Sequence, residues 1–400
     1  MNEPLNSCFV FNITITSNSG ETLDVTKTFL QFDIFEDLFS HFLVCNLTIE
    51  DTNDILKNLP IIGGEQVQIV FGDTSQAATS FIYFTLVSVL PPNEINDENT
   101  KKNIISLLLK SVEAVRGEKL RLCKKFNATS NSPLSIIKEV LHSEQINSYE
   151  IVSDSPNVKS ISDFIANFWN LNQLINYVCE QCGDVFFYQT IDTSKAFNLK
   201  SLSDLVQQNP IQTLHQATSL ENQISRNTVF QFMFSNYFDI QRVYDMGGFG
   251  KTIYEVSNEN YSYKKESKTL EEVYDDGYPL MGSNKIFQST LSSQDNSIGL
   301  RMKNEEYDTD ELFDNQLKRN LIIQSLQNYN LIVKTNGSSE RHVGDCVALT
   351  LPSTDNKSTN ENFQHSWLIT QIRHTVTNNM VFRQNIRLFK NAFFNNSKVG

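Results

Sequence analysis

Apolar and polar residues alternate with period two over much of the chain. From Phe9 to Thr16, Phe9, Phe11, Ile13 and Ile15 fall on one set of positions and Asn12, Thr14 and Thr16 on the other. This predicts a strand with all four apolar side chains on one face. Leu43, Cys45, Leu47 and Ile49 repeat the pattern, and Val67, Ile69 and Phe71 open a further strand. Between them, Asp51 to Asp54 offers capping chemistry for a short helix, Ile55 to Leu59, stopped by Pro60. Phe81 to Leu90 is apolar at both parities, which suits a strand covered on both faces, and Pro91-Pro92 is expected to end it. Asn103 to Val115 reads as another strand. This block has the strand density of a small β-barrel or sandwich.

The period then changes. Ser132-Pro133 is a helix start, followed by Leu134, Ile137 and Leu141 at helical spacing. Asn170 caps a second helix whose apolar face carries Leu171, Ile175, Val178 and Cys182, and Gly183 stops it. Asp184 to Thr190 reads as a strand, so the middle of the chain is α+β. Strands return at Val229 to Phe234, Phe238 to Tyr244 and Ile253 to Val256, and a polar, turn-rich excursion occupies Ser257 to Asn304. Asp308 to Asn328 is a helix striped by Phe313, Leu317 and Leu321. Leu331 to Thr335 and Val343 to Leu351 follow as strands, then the polar loop Ser353 to Asn362. A hairpin, Ser366 to Lys390, turns at Asn378-Asn379. Its second strand places Met380, Phe382, Ile386 and Leu388 on the core face and Val381, Arg383, Asn385 and Arg387 on the other. No exact short repeat is present. The expected division is a β-barrel over 1–122, an α+β region over 123–221, and a second β-barrel over 222–400 carrying the excursion at about 257–304.

Charge and composition narrow the function classes. The 400 residues have 46 acidic and 33 basic side chains, a formal net charge of -13. That argues against a protein that binds nucleic acid by neutralising phosphates. No apolar run reaches the ~18 residues needed to cross a bilayer, and the N-terminus lacks the pattern of a signal peptide. Six scattered cysteines do not make a disulfide scaffold.

Motifs that could carry chemistry are incomplete. DMGGFGKT, Asp245 to Thr252, ends like a phosphate-binding loop, but Asp245 stands where the first glycine is needed and a strand-like run follows. A glycine-rich turn between strands is the preferred reading. Cys179 and Cys182 form a single CxxC at a helix end, on its apolar face, where cysteine packs as a small hydrophobe. The six histidines are scattered, and the positive neighbours of His342 and His374 favour neutral rings. No catalytic, cofactor-binding or metal-binding residues are assigned.

The order of elements resembles the central hub subunit of contractile-tail bacteriophage baseplates, a family similar also to the N-terminal part of type VI secretion spike proteins. Three stretches carry the resemblance: Leu47 to Gly72 (LTIEDTNDILKNLPIIGGEQVQIVFG), Leu317 to Pro352 (LKRNLIIQSLQNYNLIVKTNGSSERHVGDCVALTLP), and the terminal hairpin with Trp367 to His374. The resemblance implies a mainly β fold with two tail-tube-like barrels and a mixed α/β middle region. It implies a homotrimeric ring of pseudo-six-fold symmetry without enzymatic activity, joining the tail tube or a tube initiator to a central spike. Baseplate wedge proteins would surround it. DNA and a tape-measure protein would pass through its lumen, unbound by sequence and favoured by an acidic wall. The implied location is the virion tail baseplate, assembled in the host cytoplasm, with no membrane insertion. Arg373, Arg383 and Arg387 on the hairpin are the expected partner contacts. The alternatives are a tail-associated cell-wall-degrading enzyme and a host-binding tail module. The latter would display exposed aromatics, for which Tyr261 to Tyr263 is the candidate.

Overall fold

The computed structural model describes residues 8–51, 61–73, 79–97, 100–127, 132–143, 151–154, 161–192, 196–216, 225–237, 240–257, 259–282, 284–285, 297–303, 310–327, 329–351 and 366–393. The expected helix at Ile55 to Leu59 and the loop Ser353 to Asn362 lie outside these residues.

The first block contributes β1 (Cys8–Thr16), β2 (Thr22–Asp24), β3 (Phe29–Asp37), β4 (Val44–Asp51), β5 (Gln66–Asp73), β6 (Thr79–Asp97) and β7 (Thr100–Ser111), then helix α1 (Val112–Lys119). They pair in the order β2-β1-β5-β6-β7-β4-β3 and curl around an apolar core that includes Ile13, Phe32, Cys45, Ile69, Phe84 and Leu107. The predicted face of β1 is corrected at its start. A bulge between Val10 and Asn12 shifts the pairing with β5, so Cys8 and Val10 point inward while Phe9 and Phe11 stand outside. One extra residue in one strand exchanges the two faces on either side of it. Two more expectations change here. β6 runs through Pro91-Pro92 to Asp97, with its register against β7 shifting between Leu90 and Asn93, so the prolines sit at a bulge. Val115 is helical, because Ser111 ends β7 and accepts from the Ala114 amide as the cap of α1.

The middle region holds β8 (Leu122–Phe126), α2 (Pro133–Ser143), β9 (Ile151–Asp154), β10 (Phe164–Trp169), α3 (Leu171–Cys182), β11 (Val185–Gln189), β12 (Phe197–Ser201) and α4 (Leu202–Val206). Asn170 and Gln173 form a reciprocal capping box on α3, and Gly183 ends that helix at φ +84°. Cys179 and Cys182 are both buried on its inner face, and burial pushes the Cys179 thiol up.

The last block contributes β13 (Gln212–Gln216), β14 (Thr228–Tyr237), α5 (Ile240–Asp245), β15 (Gly250–Ser257), β16 (Ser262–Thr269), α6 (Leu270–Asp275), β17 (Asn284–Lys285) and β18 (Ile298–Lys303). After these come α7 (Asp310–Ser325), β19 (Tyr329–Asn336), β20 (Cys346–Thr350), β21 (Ser366–Thr377), β22 (Phe382–Phe389) and β23 (Ala392–Phe393). Six of these strands close a barrel in the order β21-β20-β13-β14-β19-β22, with β22 returning to β21. Its core is centred on Trp367, which is fully buried and stacked on Tyr329 at 5.6 Å. The residues expected as a strand near Tyr244 form helix α5 instead. The glycine-rich turn therefore joins a helix to β15, and Lys251 lies within the strand rather than at a helix N-terminus. That geometry excludes a phosphate loop. The polar excursion resolves into β16, α6 and β18, and β16-β15-β18 form a small sheet packed on α7.

One strand is common to both barrels. β21 pairs with β22 and β20 in the second barrel and with β3 of the first, from Gln371↔Asp37 to Thr377↔Gln31. The chain is thus mainly β, with two barrels fused along a single sheet, of which the second alone closes among the described residues, and a mixed α/β region beside them. The hairpin turn is also corrected in detail. Its positive φ falls on Met380 (+58°), after Asn378 and Asn379, and the Thr377 amide donates to the Val381 carbonyl. This is a three-residue loop rather than a two-residue one.

Candidate assembly interface

The seam between the barrels is built from β3 and β21. Asp33 on β3 accepts from Arg373 Nε at 3.0 Å and Nη2 at 2.8 Å, and from the Thr375 hydroxyl at 2.6 Å. Burial alone would raise the Asp33 carboxyl. Arg373, Thr375 and Gln31 outweigh it and hold the group below the usual carboxylate range. Arg373 also lies over the Phe35 ring at 5.7 Å. The guanidinium of Arg373 is therefore engaged within its own chain.

The other two arginines on the hairpin differ. Arg387 is half-buried, donating to Gln371 Oε1 at 3.1 Å and to the Ser235 hydroxyl at 3.4 Å. Burial and then Arg242 pull its pKa down, against Asp37. Arg383 is exposed. Its neighbours Phe382, Gln384, Ile386 and Leu388 confirm the alternation: the even positions face the barrel core.

Behind the seam lies a cluster that residue order does not reveal. Glu36 on β3 is fully buried and collects contacts from the middle and last blocks of the chain. Its Oε1 accepts from the Ile191 amide at 2.8 Å and from His342 Nδ1 at 3.1 Å, and its Oε2 from the Val343 amide at 2.9 Å. His374 Nε2 lies 3.4 Å from Oε1. Gln384 orients that ring: its Oε1 accepts from the Ser338 amide, so its Nε2 donates to His374 Nδ1 at 3.1 Å and leaves the ring proton facing Glu36. Burial pushes the Glu36 carboxyl up, but His342 and His374 more than reverse this and keep it ionised. Burial pulls His342 down, yet Glu36 and then Asp345 raise it above the usual imidazole value. His374 is held below that value, chiefly by burial. For His342 the shift therefore runs against the expectation of a neutral ring. Its sequence neighbour Arg341 matters less than a carboxylate brought from 306 positions away.

Two outer faces are apolar. On the first barrel, Phe9 and Phe11 on β1 share a face with Phe81 and Tyr83 on β6, across Val70 and Gln68 of β5. Phe81 to Leu90 had been expected to be covered on both sides. Instead Ile82, Phe84 and Leu86 enter the core, while Phe81, Tyr83, Val87 and Leu90 are exposed. On the small sheet, Ile298, Leu300 and Met302 line the outer face of β18, with the exposed Tyr263 on β16 across Val256 of β15. Tyr261, at the tip of the β15–β16 turn, is 93% exposed. Contiguous apolar patches of this kind mark interaction surfaces. Among the described residues, no group of three or more His, Cys, Asp or Glu side chains could hold a metal ion, and no helix is long and apolar enough to cross a membrane.

The fold is one seen in solved tail proteins. The chain is similar to a tail protein from Neisseria meningitidis (TM-score 0.57, 11% identity, covering 95% of this chain and 96% of that one). It is likewise similar to the 43 kDa tail protein of prophage MuSo2 from Shewanella oneidensis (TM-score 0.56, 12% identity, covering 95% and 98%). No protein-family model and no curated protein sequence matches the chain. Among the described residues, the mainly β fold with a mixed α/β region that was expected is the one observed.

Proposed function

We propose that this chain is a structural subunit of a phage tail baseplate hub, with no enzymatic role. The observation that carries this is the fusion of two barrels along one shared strand, β21, in a chain that matches tail proteins over 95% of its length. Three copies arranged in a ring would present six barrels, so a three-fold object could meet a six-fold tube on one face and a trimeric spike on the other. The exposed Phe9, Phe11, Phe81 and Tyr83 supply apolar area for contacts between copies. Tube, spike and wedge proteins are the partners in this reading, and DNA and a tape-measure protein are transient passengers. The location is the virion tail.

Native mass spectrometry of the purified chain should give three copies. Phe11→Asp should shift the population to monomer while leaving the melting temperature within about 2 °C, because an exposed side chain contributes little to folding. A monomer in the unsubstituted protein at micromolar concentration would overturn the proposal. Among the arginines, Arg383→Glu is the clean assembly probe, since Arg387→Glu would also strip Gln371 and Ser235 of their donor. If DNA passes through the ring, its lumen should be acidic in keeping with the net charge of -13. Short duplex DNA should then show no measurable retention on the immobilised trimer at about 0.1 M salt, where a basic channel would still bind.

A further inference from the structure

We propose that the free edge of β18 takes an added strand from a partner protein, an extended segment with acidic residues on one face and apolar residues on the other. β18 is last in its sheet, and among the described residues no strand pairs with its outer edge. Exposed edges in soluble proteins are usually blunted by outward charges, proline or a bulge. β18 carries Arg301 and Lys303 at its inward-facing positions but turns Ile298, Leu300 and Met302 outward, with Leu300 73% exposed, and its parallel register with β15 is continuous from Thr252↔Ile298 to Ser257↔Lys303. An unpaired edge flanked by apolar side chains is the template used in strand addition, where backbone hydrogen bonds give affinity and alternate side chains give selectivity.

The opposite face of β18 sets the chemistry of the partner. Gly299 and Arg301 look into a cleft of about 350 Å³ between the small sheet and α7, which Lys251 and Arg319 also line. A Cβ built on Gly299 would meet Lys251 Nζ at 3.7 Å, an ordinary contact distance, so that ammonium lies directly beside the edge. The Lys251 ammonium makes no hydrogen bond or ion pair among the described residues. Arg319 donates to the Val185 carbonyl at 2.6 Å and has no carboxylate partner among the described residues. Arg301 shares Gln316 Oε1 at 2.8 Å and approaches buried Glu255 at 3.7 Å. In a chain with 13 more acidic than basic residues, this concentration of cations has a use if anionic side chains enter the cleft. Glu180 also lines it, held by Gln316 Nε2 at 3.1 Å. A carboxylate there disfavours a dense, multiply charged anion such as phosphate and suits single carboxylates two residues apart. Those are the spacings an added strand provides. The lysine that completed a false phosphate-loop motif thus acquires a role as a strand-end cation. The inference does not rest on the hub reading, since a monomeric chain would carry the same edge.

The test is fluorescence anisotropy of a labelled peptide of about eight residues alternating Glu and Val, the length of a common strand, titrated with the full chain. Saturable binding is expected. Replacing its Glu by Gln, or methylating the amides on the paired edge, should weaken binding by about tenfold or more. Lys251→Glu should do the same with circular dichroism unchanged, and Leu300→Asp provides a second variant that leaves the cleft cations in place. No binding to the unsubstituted chain would overturn the proposal. So would equal binding of the methylated peptide, which would mean loose anion attraction only, and so would indifference to both substitutions. Full competition by inorganic phosphate at micromolar concentration would assign the cleft to a small anion instead.

Discussion

Glu36→Ala is expected to cost about 3–5 kcal/mol of folding stability, the range for breaking a buried charge cluster by removing one partner. The loss follows from what the carboxylate holds. Its two oxygens satisfy backbone amides at Ile191 and Val343 and an imidazole at His342, so deletion strands three donors, two of them the amides of buried residues. Urea unfolding at pH 7 measures it, and a loss below about 1 kcal/mol would contradict this account of the junction. The pH dependence has a definite sign. Glu36 titrates lower in the folded chain than in the unfolded one, so its contribution is present above the ordinary value of 4.5 and fades as pH falls below it. His342 is shifted up, so its share is complete below its ordinary value of 6.5 and is lost as pH rises through the folded value. His374 is shifted down, so it adds stability above 6.5 and loses it on acidification. The gap between the unsubstituted protein and Glu36→Gln should therefore be widest between about pH 5 and 7 and narrow on the acid side.

Gly337→Ala should be the second costly change, near the top of the ~1–3 kcal/mol range for overpacking. A methyl group at Gly337 would fall inside the ring of Phe382. That ring is fully buried, packed edge-on to Phe71 at 6.1 Å and stacked on His374 at 6.1 Å, and the Gly337 amide donates to its carbonyl at 2.9 Å. Neither the backbone nor the ring can retreat without opening the contact between β22 and the first barrel. The double variant Gly337→Ala with Phe382→Leu should recover part of the loss, because the two positions share one volume. If Gly337→Ala melts within about 1 °C of the unsubstituted protein, the packing at this seam is looser than the geometry states.

Local signals in the sequence carried most of the fold. The caps at Asn170 and Gly183, the alternation along β4, β21 and β22, and the stripe of α7 depend on residues close in the chain, and each element formed as expected. The misreadings share a cause. On β1 a single bulge reversed the faces of Phe9 and Phe11, and on β6 a bulge let the strand pass two prolines. Bulges are set by the partner strand's register, which no single-strand period contains. Tyr244 falls in α5 because the chain must leave β14 and return to β15 in a different sheet. The site was less legible. Arg373 was singled out by its place on the hairpin, but its partner Asp33 lies 340 positions away. Glu36 reads as one more acid in FEDLF, and only β3–β21 pairing brings it to His342 and His374. A hint was available: Glu36 shares parity with Phe32 and Ile34, which places a carboxylate on a core-facing position, where charge survives only if paired.

The strand common to both barrels has a mechanical consequence. In chains where domains meet through a flexible linker, a load on one domain can be relieved by rotation before it reaches the next. Here β21 is hydrogen-bonded to β3 on one side and to β22 on the other, so relative rotation of the barrels would shear a ladder rather than bend a joint. Arg373 and Asp33 lock the outer side of that ladder, and Glu36 with its two histidines locks the inner side. Torque applied to either barrel is delivered to the other without slack, and the chain behaves as one stiff washer rather than two beads.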